Sequence, residues 1–120
     1  MIEQRKNTRF ETLAKVKIKE IGKEEFTLKD LSVTGCKVEC PIDKDIMPNM
    51  RFKLKIIPES AAEIDSFSIS AEAKWVRVGV CTCEAGFLFL ESPKGKQFQR
   101  YVEYLSWRYS QGQSKTGEEC

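Results

Sequence analysis

Phe26-Thr27-Leu28-Lys29-Asp30-Leu31-Ser32-Val33-Thr34-Gly35-Cys36-Lys37-Val38-Glu39-Cys40 is the stretch on which the fold turns. Its apolar residues alternate, as a strand with one wet face requires, but the parity changes on the way: Phe26 and Leu28 are even-numbered, Leu31 and Val33 odd. One extra residue near Lys29 or Asp30, a β-bulge, explains the change. Beyond it Asp30 and Ser32 are expected on one side, opposite Leu31 and Val33 and roughly 6 to 7 Å apart along the strand. Gly35 then permits a turn with positive φ or a close backbone approach, and Cys36, Val38 and Cys40 resume the alternation until Pro41 ends it.

The same period extends outward in both directions. Ala14, Val16 and Ile18 alternate with Lys15, Lys17 and Lys19, and the Gly22-Lys23-Glu24 turn joins that strand to the next as a hairpin. Phe52, Leu54 and Ile56 alternate with Arg51, Lys53 and Lys55 up to Pro58. A long strand follows with Phe67, Ile69, Ala71, Ala73 and Trp75 on one face, and Phe87 to Leu90 reads as a run covered on both faces. About six strands with short links predict an all-β fold, an antiparallel barrel. After Pro93-Lys94-Gly95, the residues Phe98, Tyr101, Val102, Leu105 and Tyr109 fall at helical spacing, so a C-terminal α-helix is expected to cover an edge or mouth of the barrel. The organisation expected is a flexible N-terminal arm over 1–12, one barrel-plus-helix domain over 13–110, and a disordered polar tail over 111–120.

Composition narrows the function. The chain has 120 residues, long enough for a proper core without staples. Its 20 basic and 18 acidic side chains leave a formal charge of +2, too little for a broad polyphosphate-binding surface, though a compact anion remains compatible. The arm holds a local excess, with Arg5, Lys6 and Arg9 against Glu3. A single-stranded nucleic-acid reader would need a basic groove lined with aromatic residues, and polar-face aromatics are scarce.

There is no histidine, which removes the usual general base near neutral pH and every imidazole metal ligand, so no enzyme activity is expected. Five cysteines, Cys36, Cys40, Cys81, Cys83 and Cys120, form neither a CxxC nor an even set. We therefore expect a reducing, cytoplasmic location without disulfides, metal or cofactor. The first ten residues lack the apolar run of a signal peptide, and nothing approaches the ~18 apolar residues of a membrane span.

Two groups carry recognition chemistry. Arg5 and Arg9 each offer a planar donor fork that can pair with phosphate, grip guanine O6 and N7, or stack on a base. The Asp30 carboxylate can accept from guanine N1 and N2, and the Ser32 hydroxyl can take a further polar contact. Each group also has an ordinary reading, a solvated arm in the first case and a turn in the second.

Together and in this order, Arg5-Lys6-Asn7-Thr8-Arg9 followed by Asp30-Leu31-Ser32-Val33-Thr34-Gly35 resembles the RxxxR and [DN]xSxxG motifs of the PilZ family of cyclic di-GMP receptors. The resemblance runs from Gln4 to about Tyr109. It implies a six-stranded PilZ-type barrel followed by a helix, in a bacterial second-messenger receptor. It also implies that Arg5 and Arg9 wrap round the ligand, that Asp30 and Ser32 fix a guanine, and that Gly35 is the motif glycine. Trp75 resembles the position beside the bound base, although its parity also suits the core. Gln4 stands where many members have a further arginine, and one bound nucleotide rather than two is expected. The function implied is a cyclic di-GMP receptor that changes conformation and signals through a separate protein partner. The alternative is a PilZ-fold adaptor that binds protein and no nucleotide.

Overall fold

The computed structural model describes residues 8–41, 46–91 and 95–111. Its strands are β1 (Phe10–Glu11), β2 (Lys15–Ile18), β3 (Glu25–Leu31), β4 (Gly35–Pro41), β5 (Arg51–Ile57), β6 (Phe67–Val78) and β7 (Thr82–Phe89), followed by helix α1 (Lys96–Ser110). Six of them form an antiparallel barrel in the order β3-β2-β5-β6-β7-β4, closed by pairing of β4 with β3. The seventh strand, β1, lies along the edge of β3 beyond β2, with Phe10 opposite Leu31 and Glu11 opposite Asp30. Thr12 holds the break between β1 and β2. Its hydroxyl donates to the Leu28 carbonyl at 2.7 Å and accepts from the Ala14 N–H at 3.1 Å.

Alternation places the core. Val16, Ile18, Leu28, Leu31, Val38, Leu54, Ile56, Ala71, Ala73 and Ala85 are fully enclosed. Phe52 and Phe87 meet edge to face across the interior, with ring centroids 6.1 Å apart. The expected bulge is present: Leu28 opposes Val38 and Asp30 opposes Lys37, leaving Lys29 as the extra residue.

In β6 and β7 two local expectations are overturned. A second bulge separates the Ala73–Phe87 and Trp75–Gly86 pairs, leaving Lys74 extra, so Trp75 turns outward instead of joining Ala73 in the core. The Ala73 backbone is diverted there into hydrogen bonds with Asn49 and Met50, and Asn49 has a left-handed φ of 76°. The Phe87–Leu90 run is not covered on both faces either. Phe87 and Phe89 are buried, whereas Leu88 and Leu90 are exposed.

Helix α1 closes one end of the barrel. Phe98 packs edge-on against Phe67 at the start of β6 and Phe89 at the end of β7, with centroids 5.9 and 6.1 Å away. The Tyr101 hydroxyl donates to Glu59 at 2.6 Å, and Arg108 pairs with the other Glu59 oxygen at 3.2 Å. Burial, reinforced by the Glu59 carboxylate, pushes the Tyr101 phenol well above its ordinary pKa. Tyr109, expected on the buried face, is exposed and touches Phe10 edge to face. No helix among the described residues is long and apolar enough to cross a membrane.

Candidate functional site

Strand register assembles the site. Reading across the barrel wall, Trp75 on β6 opposes Gly86 on β7, Gly86 opposes Lys37 on β4, Lys37 opposes Asp30 on β3, and Asp30 opposes Glu11 on β1. At a strand spacing of about 4.8 Å, Asp30 and Trp75 stand at most ~15 Å apart on one transverse row. Both bulges lie on this row, and each turns a side chain outward that unbroken alternation would have aimed elsewhere.

An open depression of about 330 Å³ lies over the row, lined by Arg9, Asp30, Lys37, Trp75, Gly86 and Leu88 among others. Arg9 donates to Asp30 Oδ1 at 2.9 Å, and the Lys37 ammonium is 3.9 Å from Oδ2. One carboxylate with a fork donor on one side and an ammonium on the other is an anchor for a polar ligand edge with nearby negative charge. At the other end the Trp75 indole lies over Gly86, where a Cβ would collide with it. The Arg77 guanidinium is 5.2 Å from the Trp75 ring. Trp75 remains 39% exposed, enough to offer a π-face to a planar ligand. Cys36 lies beneath this surface, and burial, then the Asp30 charge, push its thiol pKa up, so it remains neutral there.

The predicted site residues separate. Arg9, Asp30 and Trp75 share the depression. Arg5 lies outside the described residues. Ser32 does not share the outward face of Asp30, because β3 ends at Leu31 and the chain turns. Its buried hydroxyl is 3.2 Å from both the Thr34 and Gly35 N–H groups, from which it accepts, and 3.3 Å from the Gly35 carbonyl. Ser32 thus ties the turn that starts β4. Gly35 does not use positive φ; it is needed because a Cβ would strike the Phe87 carbonyl of β7.

Lys37, Gly86 and Arg77 were not foreseen. Gly86 had a readable signal, since a glycine inside a strand marks a close approach, here that of the indole.

The match to the family described as PilZ domain spans residues 3–105. The chain belongs to the PilZ family. The search of curated proteins returned no match. A solved structure described as the PilZ domain with c-di-GMP of YcgR from Escherichia coli superposes with a TM-score of 0.69 at 20% identity, covering 93% of this chain and 98% of that one. That likeness establishes the fold: the closed six-stranded barrel with its C-terminal helix is a PilZ barrel, extended here by β1. In this PilZ domain the two motifs meet physically where Arg9 of the first donates to Asp30 of the second, 21 residues on.

Proposed function

We propose that this PilZ domain is a receptor for cyclic di-GMP, bound over the Asp30–Trp75 row without chemical conversion. The observation that carries the reading is the convergence of Arg9, Asp30 and Trp75 on one depression. Membership of the PilZ family, and the ligand named for the E. coli YcgR domain, supply its identity. Asp30 accepts from the N1 and N2 donors of a guanine, Arg9 swings from Asp30 to a phosphate, and a base stacks on Trp75. Arg5 adds a second fork by its motif position, while Ser32 and Gly35 hold the turn that keeps Asp30 and Lys37 in register. Binding changes the conformation of the domain around Arg9, and the altered surface signals to a separate cytoplasmic protein.

Calorimetric titration with cyclic di-GMP tests this. Arg9→Ala and Asp30→Ala are each expected to weaken binding about tenfold or more, since a charge-assisted or bidentate contact contributes roughly 1–3 kcal/mol. Wild-type affinity in both folded variants would remove the site. Absence of binding by the wild type up to about 100 μM, weaker than roughly −5.5 kcal/mol, would remove the receptor assignment.

A further inference from the structure

The basic residues near the candidate site all have acidic partners: Arg9 and Lys37 share Asp30, Lys29 pairs with Glu39, Lys74 with Glu72 and Arg77 with Glu84. The opposite wall of the barrel is different. There β2 and β5 pair with Lys17 directly facing Lys55, two like charges whose Cβ atoms lie about 5 Å apart and whose opposition destabilises a sheet. A depression of about 440 Å³ on this wall is lined by Lys17, Lys19, Lys23, Lys53 and Lys55, with Glu20, Gly22 and Ser68. None of the five lysines forms an ion pair with a described residue. Glu25 opposes Lys17 in register without closing to ion-pair distance, and Glu20, which accepts the Lys53 backbone N–H, offsets only one of the five lysine charges in the lining. The formal charge of the chain is only +2, so this wall concentrates positive charge that the rest of the surface balances.

We propose that the β2–β5 wall is a docking site for an extended, acidic segment of a partner protein. Its geometry matches that occupant. Lys53 and Lys55 are one strand repeat apart on β5, about 6.6 Å, and Lys17 and Lys55 about 5 Å, spacings that meet carboxylates at alternate positions of an extended chain. Lysine stems line the depression together with the small residues Gly22 and Ser68, so a peptide backbone can settle between the ammonium groups. Neither an aromatic ring to stack a base nor an arginine fork to grip a phosphate lines it. Strand order puts it across the barrel from Lys37 and Gly86, so it can be filled whatever binds over Asp30, and its fate is independent of the nucleotide assignment.

The test is an amide-shift titration of the full chain with a synthetic peptide of alternating Glu and Ser, about ten residues long. Parallel titrations use mixed-sequence single-stranded DNA and vesicles of phosphatidylcholine with phosphatidylserine. The peptide is expected to shift the amides of Lys17, Lys53, Lys55 and Ser68. Lys55→Glu should weaken it roughly fivefold or more, because one attractive charge is removed and a repulsive one added. The same substitution turns a like-charge pair into an ion pair, so Tm should rise by about 1–5 °C, separating lost affinity from lost fold. Lys17→Gln with Lys55→Gln should weaken the peptide as well. Peptide shifts that map elsewhere, a Lys55→Glu chain that binds as wild type, or binding on this wall by vesicles or DNA in place of the peptide would each overturn the proposal.

Discussion

Gly35→Ala should cost this domain stability before it costs anything else. The added Cβ would lie against the Phe87 carbonyl oxygen, with the Phe87 carbonyl carbon at 3.3 Å and Leu88 Cα at 3.5 Å behind it. All three are backbone atoms of β7, so no side chain can rotate away. Relief requires β4 to part from β7 where Gly35 pairs with Leu88 and Cys36 with Phe87. The neighbouring bonds at risk are Ser32 N–H to the Gly35 carbonyl and Phe89 N–H to the Thr34 carbonyl, both 2.9 Å. Overpacking contributes about 1–3 kcal/mol and each weakened hydrogen bond about 0.5–1.5 kcal/mol, so a loss of about 2–4 kcal/mol is expected. In a domain of this size that lowers Tm by about 10 °C. Urea denaturation measures it, with Gly22→Ala as the control. A methyl added at Gly22 would have nothing within 4 Å, and the residue has no left-handed φ, so that variant should be neutral or more stable by about 0.4–1 kcal/mol. A Gly35→Ala protein that loses less than about 0.5 kcal/mol yet fails to bind cyclic di-GMP would instead return Gly35 to the ligand.

Gly86→Ala meets the Trp75 indole first, a side chain that can move, so its stability cost should stay under about 1.5 kcal/mol while the indole leaves its seat. In a Trp107→Phe background, a shift in tryptophan fluorescence with weakened nucleotide binding is expected; unchanged emission would disprove the seating. Stability should fall as pH rises above about 10: the unfolded chain releases its tyrosine protons near the ordinary value of 10.0, while the raised Tyr101 pKa keeps that phenol protonated in the fold. Tyr101→Phe should lose about 1–3 kcal/mol at neutral pH through the missing bond to Glu59 and flatten the alkaline decline, both readable from denaturation curves at several pH values.

Where the chain announced its own geometry, it did so through parity. The odd-even change between Leu28 and Leu31 revealed the bulge at Lys29, and with it the outward turn of Asp30. An equivalent change exists in β6, where Phe67, Ile69, Ala71 and Ala73 are followed by the even-numbered Val76, half-buried against the core. Trp75, apolar and odd-numbered, masked it, because a tryptophan suits a core and a stacking platform equally. Ser32 was misplaced for a related reason: a period-two count assumes that the strand continues, and the hydroxyl's bonds to the Thr34 and Gly35 N–H groups end it. The Arg9–Asp30 pair and the Lys17–Lys55 opposition depend on which strands are neighbours, which local patterning does not encode.

The Arg9–Asp30 contact holds the arginine in place without locking the site. It is a single 2.9 Å contact between a guanidinium half exposed to solvent and a carboxylate whose other oxygen is already 3.9 Å from Lys37. Exposed pairs of this kind contribute about 0–1 kcal/mol, so breaking one reduces ligand affinity at most about fivefold. A guanine edge bound to Asp30 returns about 1–3 kcal/mol, and a phosphate on the released Arg9 adds a charge-assisted bond. Under the proposed function the exchange favours the ligand, and Arg9 is expected to affect binding far more than folding. Arg9→Ala should leave the unfolding free energy within about 1 kcal/mol of wild type while nucleotide affinity falls about tenfold or more. If it instead removes more than about 2 kcal/mol of stability, the arginine is a structural clamp on β3, and the exchange on which ligand entry depends does not occur.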